Sequence, residues 1–387
     1  MPRKRSRSIG RCSVKAKVCI LTTVHPPFDT RIFHKQAKTL ARAGYDVTLI
    51  AQHDGDRVVE GVRIIGLPKP RNRFTRIFGL TWRAFRLALR QHADVYHFHD
   101  PELLLPGALL KLFTRAKVIY DVHEDYPSYI RMKGWLPSVL RAPLSAFVET
   151  LELLGTRIFD AIVTADDEVA NRFKKAKMLA IIHNFPDLEL FMGCERHSSA
   201  KIYDIIYLGS ISPYHINFML SVALLLEKMG HVFRWCIVGV SERQHTLARK
   251  LLQELGIKHR FCLCGRIPHS CVVKYLAYSK VGVIPLPHKE KFMKNIPTKL
   301  FEYMACRIPV VASDLPPIRK FVGTRGCAIL VPPEDEEAFA SAIDFLLSNP
   351  QRAQAMGEKG RSLVEQKFNW ARESKKLLTL YRRLINA

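Results

Sequence analysis

Short β-branched runs alternate with amphipathic stretches along almost all of this 387-residue chain. Strands are predicted at Lys17–Val24, Asp46–Gln52, Val62–Leu67, Asp94–Phe98, Lys117–Val122 and Ala161–Ala165. The pattern restarts at Asp204–Leu208, Phe233–Val238, Arg260–Leu263, Val281–Leu286, Pro309–Ala312 and Ala328–Val331. Helical spacing fills the gaps, as at Thr30–Ala43, Leu104–Phe113, Asn217–Met229 and Asp335–Leu347. Continuous apolar strands separated by helices imply parallel sheets covered on both faces. Residues 186–203 are mostly polar and aperiodic, a linker between an α/β domain at 18–185 and a second at 204–365. A closing segment, 366–387, carries an amphipathic helix at Trp370–Ile385 that can pack back on the first domain. The predicted fold class is therefore α/β, with two Rossmann-like, doubly wound parallel-sheet domains and a cleft between them. Such sheets bind ligands beyond the carboxyl ends of their strands, so chemistry is sought there.

Charge adds a partner class. The net charge is +25, and the first hundred residues hold 20 Lys or Arg against 7 Asp or Glu. Residues 1–17 are basic, without acids or apolar period, and read as a disordered tail that also lacks the apolar stretch of a secretory signal. This surplus suits an anionic membrane surface or simple solubility. No recognised nucleic-acid module accompanies it, so no specific nucleic acid is expected. The longest uncharged apolar stretch, near Phe218–Leu226, is far short of a membrane span, which points to a cytoplasmic protein, free or peripheral at the inner face of the membrane. Of the nine cysteines only Cys262 and Cys264 lie close in sequence, in no common zinc pattern, and all read as reduced packing residues. In residues 71–90, Phe74, Phe78, Trp82, Phe85 and Leu89 share a helical face expected to pack on the sheet. Arg76, Arg83, Arg86 and Arg90 then face outward, toward solvent or an anionic leaflet.

Five constellations carry candidate chemistry. In PTKLFEYMA, Pro297 and Thr298 open a helix whose free N–H groups favour a diphosphate, and Lys299 and Glu302 share a face. The pair reads as a phosphate cation with a ribose carboxylate, or as a surface ion pair. In DVHED, His123 follows a strand and reads as a cleft residue or as a partner of Glu124 or Asp125. In HFHDPELL, His97 and His99 lie on one side of a strand ahead of Asp100. A metal reading is rejected because no third ligand with metal spacing follows, leaving packing plus an acceptor-side role for His99 or Asp100. In HPPFDTRIF, Asp29 or Thr30 caps a helix in which Arg31 suits either a phosphate or acceptor contact or a structural salt bridge. In YLGSISPYHIN, Gly209 suits close backbone approach to a nucleotide, with His215 six residues on.

NIPTKLFEYMACRIPVVASDLPPIRKFV resembles the donor-nucleotide segment of family-four glycosyltransferases, a GT-B fold group. TTVHPPFDTRIFHKQAKTLARAGYDVTLIA, VYHFHDPELL, VIYDVHEDYP and IIHNFPDLELF resemble its bacterial polysaccharide branch, and the likeness spans about 18–385. The resemblance implies a retaining enzyme that moves a sugar from a nucleoside diphosphate, with no cofactor or metal, to a glycan or lipid-linked acceptor in cell-surface polysaccharide synthesis. Glu302 would bind the donor ribose and His123 would act beside the transferred sugar. Lys294 stands where relatives often have a glutamate, His215 and Ile216 stand where they carry a cation and glycine, and Arg307 replaces a glycine expected at positive φ. A GT-B-fold sugar-nucleotide epimerase would share the donor cleft without needing an acceptor, and a non-catalytic partner subunit would account for His215, Ile216 and Arg307.

Overall fold

The computed structural model describes residues 15–134, 136–197 and 201–386, so most of the basic tail and residues 198–200 of the linker lie outside the described residues. The first sheet contains β1 (Lys17–Leu21), β2 (Asp46–Gln52), β3 (Arg57–Val59), β4 (Val62–Leu67), β5 (Val95–Phe98), β6 (Lys117–Val122), β7 (Ala161–Thr164) and β8 (Leu179–Ile181). Their order is β3-β4-β2-β1-β5-β6-β7-β8, parallel throughout except between β3 and β4. The second sheet contains β9 (Tyr203–Leu208), β10 (Trp235–Val240), β11 (Phe261–Gly265), β12 (Ser279–Ile284), β13 (Val310–Ser313) and β14 (Ala328–Val331), in the order β11-β10-β9-β12-β13-β14. Burial on both faces explains the unbroken apolar runs: Val18, Cys19, Ile20 and Leu21 are all at most 1% exposed.

The segment read as a linker is not wholly loose. It carries a 3-10 helix at Leu188–His197, and Phe191 is buried in the core of the second domain together with Phe185. The last helix, Trp370–Asn386, returns to the first sheet. Leu377, Leu380, Tyr381 and Leu384 join Val18 and Ile20 in one core, Trp370 Nε1 donates to Thr39 Oγ1 at 2.9 Å, and the Tyr381 hydroxyl lies 2.8 Å from His97 Nδ1.

Three expectations need correction. The apolar face of residues 71–90 packs on the sheet only in part: Phe85 is buried and Leu89 packs against the same core, but Phe74, Phe78 and Trp82 are exposed, and Leu80, Ala84 and Ala88 are buried beside Phe85 instead. Residues Thr75–Leu80 wind as a π-helix, which sets Phe74 and Phe78 out of the α-helical phase that Phe85 and Leu89 share. Arg76 does not face outward freely, because its Nε donates to Glu102 at 3.1 Å. Nor are the cysteines all reduced. Cys19, Cys236, Cys262, Cys264, Cys271 and Cys327 are free thiols, but Cys306 is disulfide-bonded. Among the described residues no helix is long and apolar enough to cross a membrane.

Candidate active site

The second-domain wall starts where β9 and β10 end. Gly209 and Gly239 both hold positive φ, and a Cβ on Gly239 would meet the Gly209 backbone at 3.2 Å. A Cβ on Gly209 would meet Lys299 Nζ at 3.3 Å, so this loop and the helix Thr298–Ala305 touch at one cation. Lys299 Nζ lies 3.9 Å from the Tyr207 ring centroid and has no hydrogen-bonding partner among the described residues. Burial pulls its pKa down to about 7, against the pull of Glu302 in the opposite direction. One turn on, Glu302 Oε1 accepts from His269 Nε2 at 2.9 Å, and its other oxygen has no protein partner among the described residues. Burial works to raise the Glu302 pKa, but the His269 hydrogen bond and the charges of His269, Lys35 and Lys299 hold it below the usual value.

His215 sits in the first turn of the helix Pro213–Lys228, where Ser212 caps the helix and His215 Nδ1 lies 2.7 Å from its hydroxyl. Burial, followed by Lys299 and Lys289, lowers its pKa to about 3, so the ring is neutral near pH 7. Arg307 adopts φ 56°, a left-handed conformation that glycine reaches more easily.

The first-domain wall is built around two buried carboxylates. Asp121 at the end of β6 accepts from Arg31 Nη2 at 3.0 Å and from Gln36 Nε2 at 2.6 Å, with His97 Nε2 3.4 Å away. Burial works against its charge, yet the Arg31 guanidinium and the two histidines hold its pKa well below the usual range. Arg31 also donates to Ile182 O at 2.9 Å, so its guanidinium is engaged inside the domain. Asp100 accepts from the Thr22 hydroxyl at 2.9 Å and from Thr23 N at 2.6 Å, which fixes the loop after β1.

That loop carries His25, whose Nε2 lies 2.9 Å from His123 Nε2 and 3.6 Å from Asp100 Oδ1. Burial opposes charge on His25, but the Asp29 hydrogen bond and the Asp100, Asp29 and Glu124 carboxylates outweigh it, so its pKa rises. Burial and the His25 charge together lower His123. At 2.9 Å the two ring nitrogens can share one proton, and the opposite directions of these shifts favour His25 as its carrier.

His97, His99 and Asp121 bring three metal-ligand atoms within 4.8 Å of one another, the third ligand that reading along the sequence did not find. Both Asp121 oxygens already face Arg31, and a cation added there would lie against a guanidinium. The group does not fit a metal ion.

Between the walls lies a cavity of about 470 Å³ lined by His25, Arg31, Lys35, His123, Lys299 and Glu302, among others. It adjoins a second cavity of about 1060 Å³ under Gly209, His215, Ser241 and Arg243, the two sharing Pro297, Thr298 and Lys299. The segment Glu290–Ile296 crosses from the second domain to the first. Lys294 Nζ donates to Asp125 at 3.0 Å, while Ile296 N and Asn295 Nδ2 donate to Asp166 at 2.8 and 2.7 Å. Burial pushes the Asp166 pKa up to about 6.

His123, Arg31, Pro297, Thr298, Lys299 and Glu302 are thus brought to one cavity, and Gly209 and His215 to its neighbour, whereas His99 and Asp100 are fully buried behind the first wall. Sequence reasoning missed His25, Lys35, Gly239 and His269. A histidine in the loop after β1 and a glycine inside β10 were the available signals; Lys35 and His269 had none beyond their type.

Residues 30–190 match the family model described as Glycosyltransferase Family 4, and residues 196–363 match that described as Glycosyl transferases group 1. Glycogen synthase of Mycobacterium tuberculosis is 22% identical, over 88% of this chain and 87% of its own length. Sucrose-phosphate synthase from Thermosynechococcus elongatus shares the fold with a TM-score of 0.76 at 18% identity, over 96% of this chain and 100% of that one. Anabaena HepE in complex with UDP and glucose does so at 0.72 and 13% identity, over 95% and 100%.

Proposed function

Because the chain belongs to the GT-B-fold, nucleotide-sugar-dependent glycosyltransferases, we propose that it moves a sugar with retention from a nucleoside diphosphate to a hydroxyl of a glycan or lipid-linked acceptor. The observation that carries this is the pairing across one cavity of Lys299 and Glu302 with the His25–His123 pair. Glu302 accepts from the ribose hydroxyls through its open oxygen. Lys299 and the first N–H groups of its helix receive the diphosphate, which leaves with the bonding electron pair. The acceptor hydroxyl attacks from the same face, and its proton passes to the departing phosphate oxygen. His123 contacts the reacting sugar. Arg31 and Asp100 act as positioning residues, one through Asp121 and the other through the loop bearing His25.

Nucleotide sugars tested one by one for thermal stabilisation should reveal one preferred donor, since selective binding stabilises the native state. Product analysis with that donor and an acceptor should give a glycoside. A donor isomer formed without acceptor would identify an epimerase instead, and no stabilisation by any donor a non-catalytic subunit. With the donor found, His123→Ala should lower kcat far more than it raises the donor KM.

The lipid-linked part of the reading draws support from three adjacent helices on one face of the first domain, Thr81–Leu89, Leu104–Phe113 and Ser138–Ile158. Phe78, Trp82, Leu112, Phe113, Val139 and Phe147 on or next to them are exposed, beside Arg83, Arg86 and Arg90. Aromatic side chains set among arginines suit an anionic leaflet. The chain should pellet with anionic liposomes at low salt and be released at high salt. Replacing Phe78 and Trp82 with serine should abolish pelleting; no pelleting by the parent would rule docking out.

A further inference from the structure

The second domain holds a group of sulfur atoms that takes no part in the cleft. Cys236 lies on β10, and Cys262 and Cys264 lie on the neighbouring edge strand β11. Register sets Cys236 directly beside Cys262, and strand alternation puts Cys264 on the same face. The three Sγ atoms lie within 4.8 Å of one another, with Cys262 and Cys264 3.7 Å apart, and all three are free thiols. A soft ion bonded at about 2.3 Å to each of three sulfurs keeps them about 3.8–4.0 Å apart. One pair already has that spacing, and the others need close by no more than about 1 Å.

We propose that Cys236, Cys262 and Cys264 form a binding site for one thiophilic metal ion of the zinc or monovalent copper class, independent of the sugar-transfer reading. Each thiol gives its proton to solvent as its sulfur–metal bond forms. Sulfur-only ligation, with no carboxylate or imidazole in the group, selects soft ions over magnesium or calcium. Cys236 is fully buried and fixes one corner, while Cys262 and Cys264 are partly exposed and give an entry path. The Tyr203 hydroxyl, 3.8 Å from Cys262 Sγ, is placed to hydrogen-bond the thiolate, and its ring stacks on Tyr275 at 6.4 Å. The bound ion would tie the edge strand to β10, whose Gly239 abuts Gly209 at the cleft.

The test uses the full chain with its Cys306 disulfide intact, stripped by chelator, with cadmium as the probe. One equivalent should bind with thiolate-to-metal charge-transfer absorption and raise Tm. Cys262→Ser and Cys264→Ser should each weaken binding about 100-fold or more, and Cys271→Ser should change nothing. Alkylation mapped by mass spectrometry needs no variant to fold: cadmium should protect Cys262 and Cys264 and leave Cys271 reactive. Absence of the charge-transfer band, binding that survives both serine changes, or equal alkylation with and without cadmium would overturn the proposal.

Discussion

The two walls of the cleft are made of the same α/β material and use their charges in opposite ways. In the first domain both carboxylates are buried inside protein: Asp121 is held by Arg31, Gln36 and His97, and Asp100 is held through Oδ2 by the Thr22–Val24 loop, with its Oδ1 buried 3.6 Å from His25 Nε2. In the second domain Lys299 lies over the face of Tyr207 with no hydrogen-bonding partner among the described residues, and Glu302 keeps one oxygen without a partner among them. A polar motif whose charges neutralise one another is scaffold. One whose charges stay open toward a cavity is a binding surface, although both look alike in sequence.

The largest effect should come from breaking the enclosed wall. Arg31→Met leaves Asp121 buried without its guanidinium partner, with an expected loss of about 3–5 kcal/mol of stability, read by denaturant unfolding. Glu302→Ala should leave Tm nearly unchanged and weaken the donor by about 1.5–3 kcal/mol in calorimetry. Equal donor affinity in variant and parent would remove the ribose role. If Glu302→Ala unfolds the chain and Arg31→Met does not, the contrast between the walls is reversed.

Smaller effects follow from titration. Burial brings Lys299 to about 7, so the free enzyme loses this charge as pH rises past 7. Donor affinity should therefore fall between pH 7 and 9, and Lys299→Arg, which stays charged, should flatten the profile. His183 behaves differently. Burial opposes its charge, but the Asp167 and Glu373 carboxylates outweigh this and raise its pKa above the unfolded value. That stabilisation is complete below about 6.5 and is lost as pH rises through the higher folded value. Tm should decline modestly over that range in the parent and stay level in His183→Gln.

The second wall was legible in sequence because its chemistry is local: Pro297, Thr298, Lys299 and Glu302 lie within six residues, and helical spacing alone puts Lys299 beside Glu302. The first wall was not, because its partners are far apart in the chain. Arg31 and Asp121 are 90 residues apart, and His25 and His123 are 98 apart. Strands β2, β4, β6 and β14 lie where the apolar runs placed them, since each is sheltered on both faces or long enough to show its pattern. β3 and β8 were missed because each is three residues long and carries no fully buried side chain. Lys294, at a position where relatives often carry an acid, is legible only in three dimensions, where it meets Asp125 of the opposite domain.

The return of the last helix to the first domain has a mechanical consequence. The backbone passes between the two bodies twice, once near Pro186 and again just before Trp370, and Trp370 N donates to Pro186 O at 2.8 Å where the passages meet. A body hung on a single strand can swivel about it; one hung on two linked strands swings like a door about the line through them. Any opening of the cleft would thereby be confined to bending about that line, and closing would return Lys299 and Glu302 to the same two histidines.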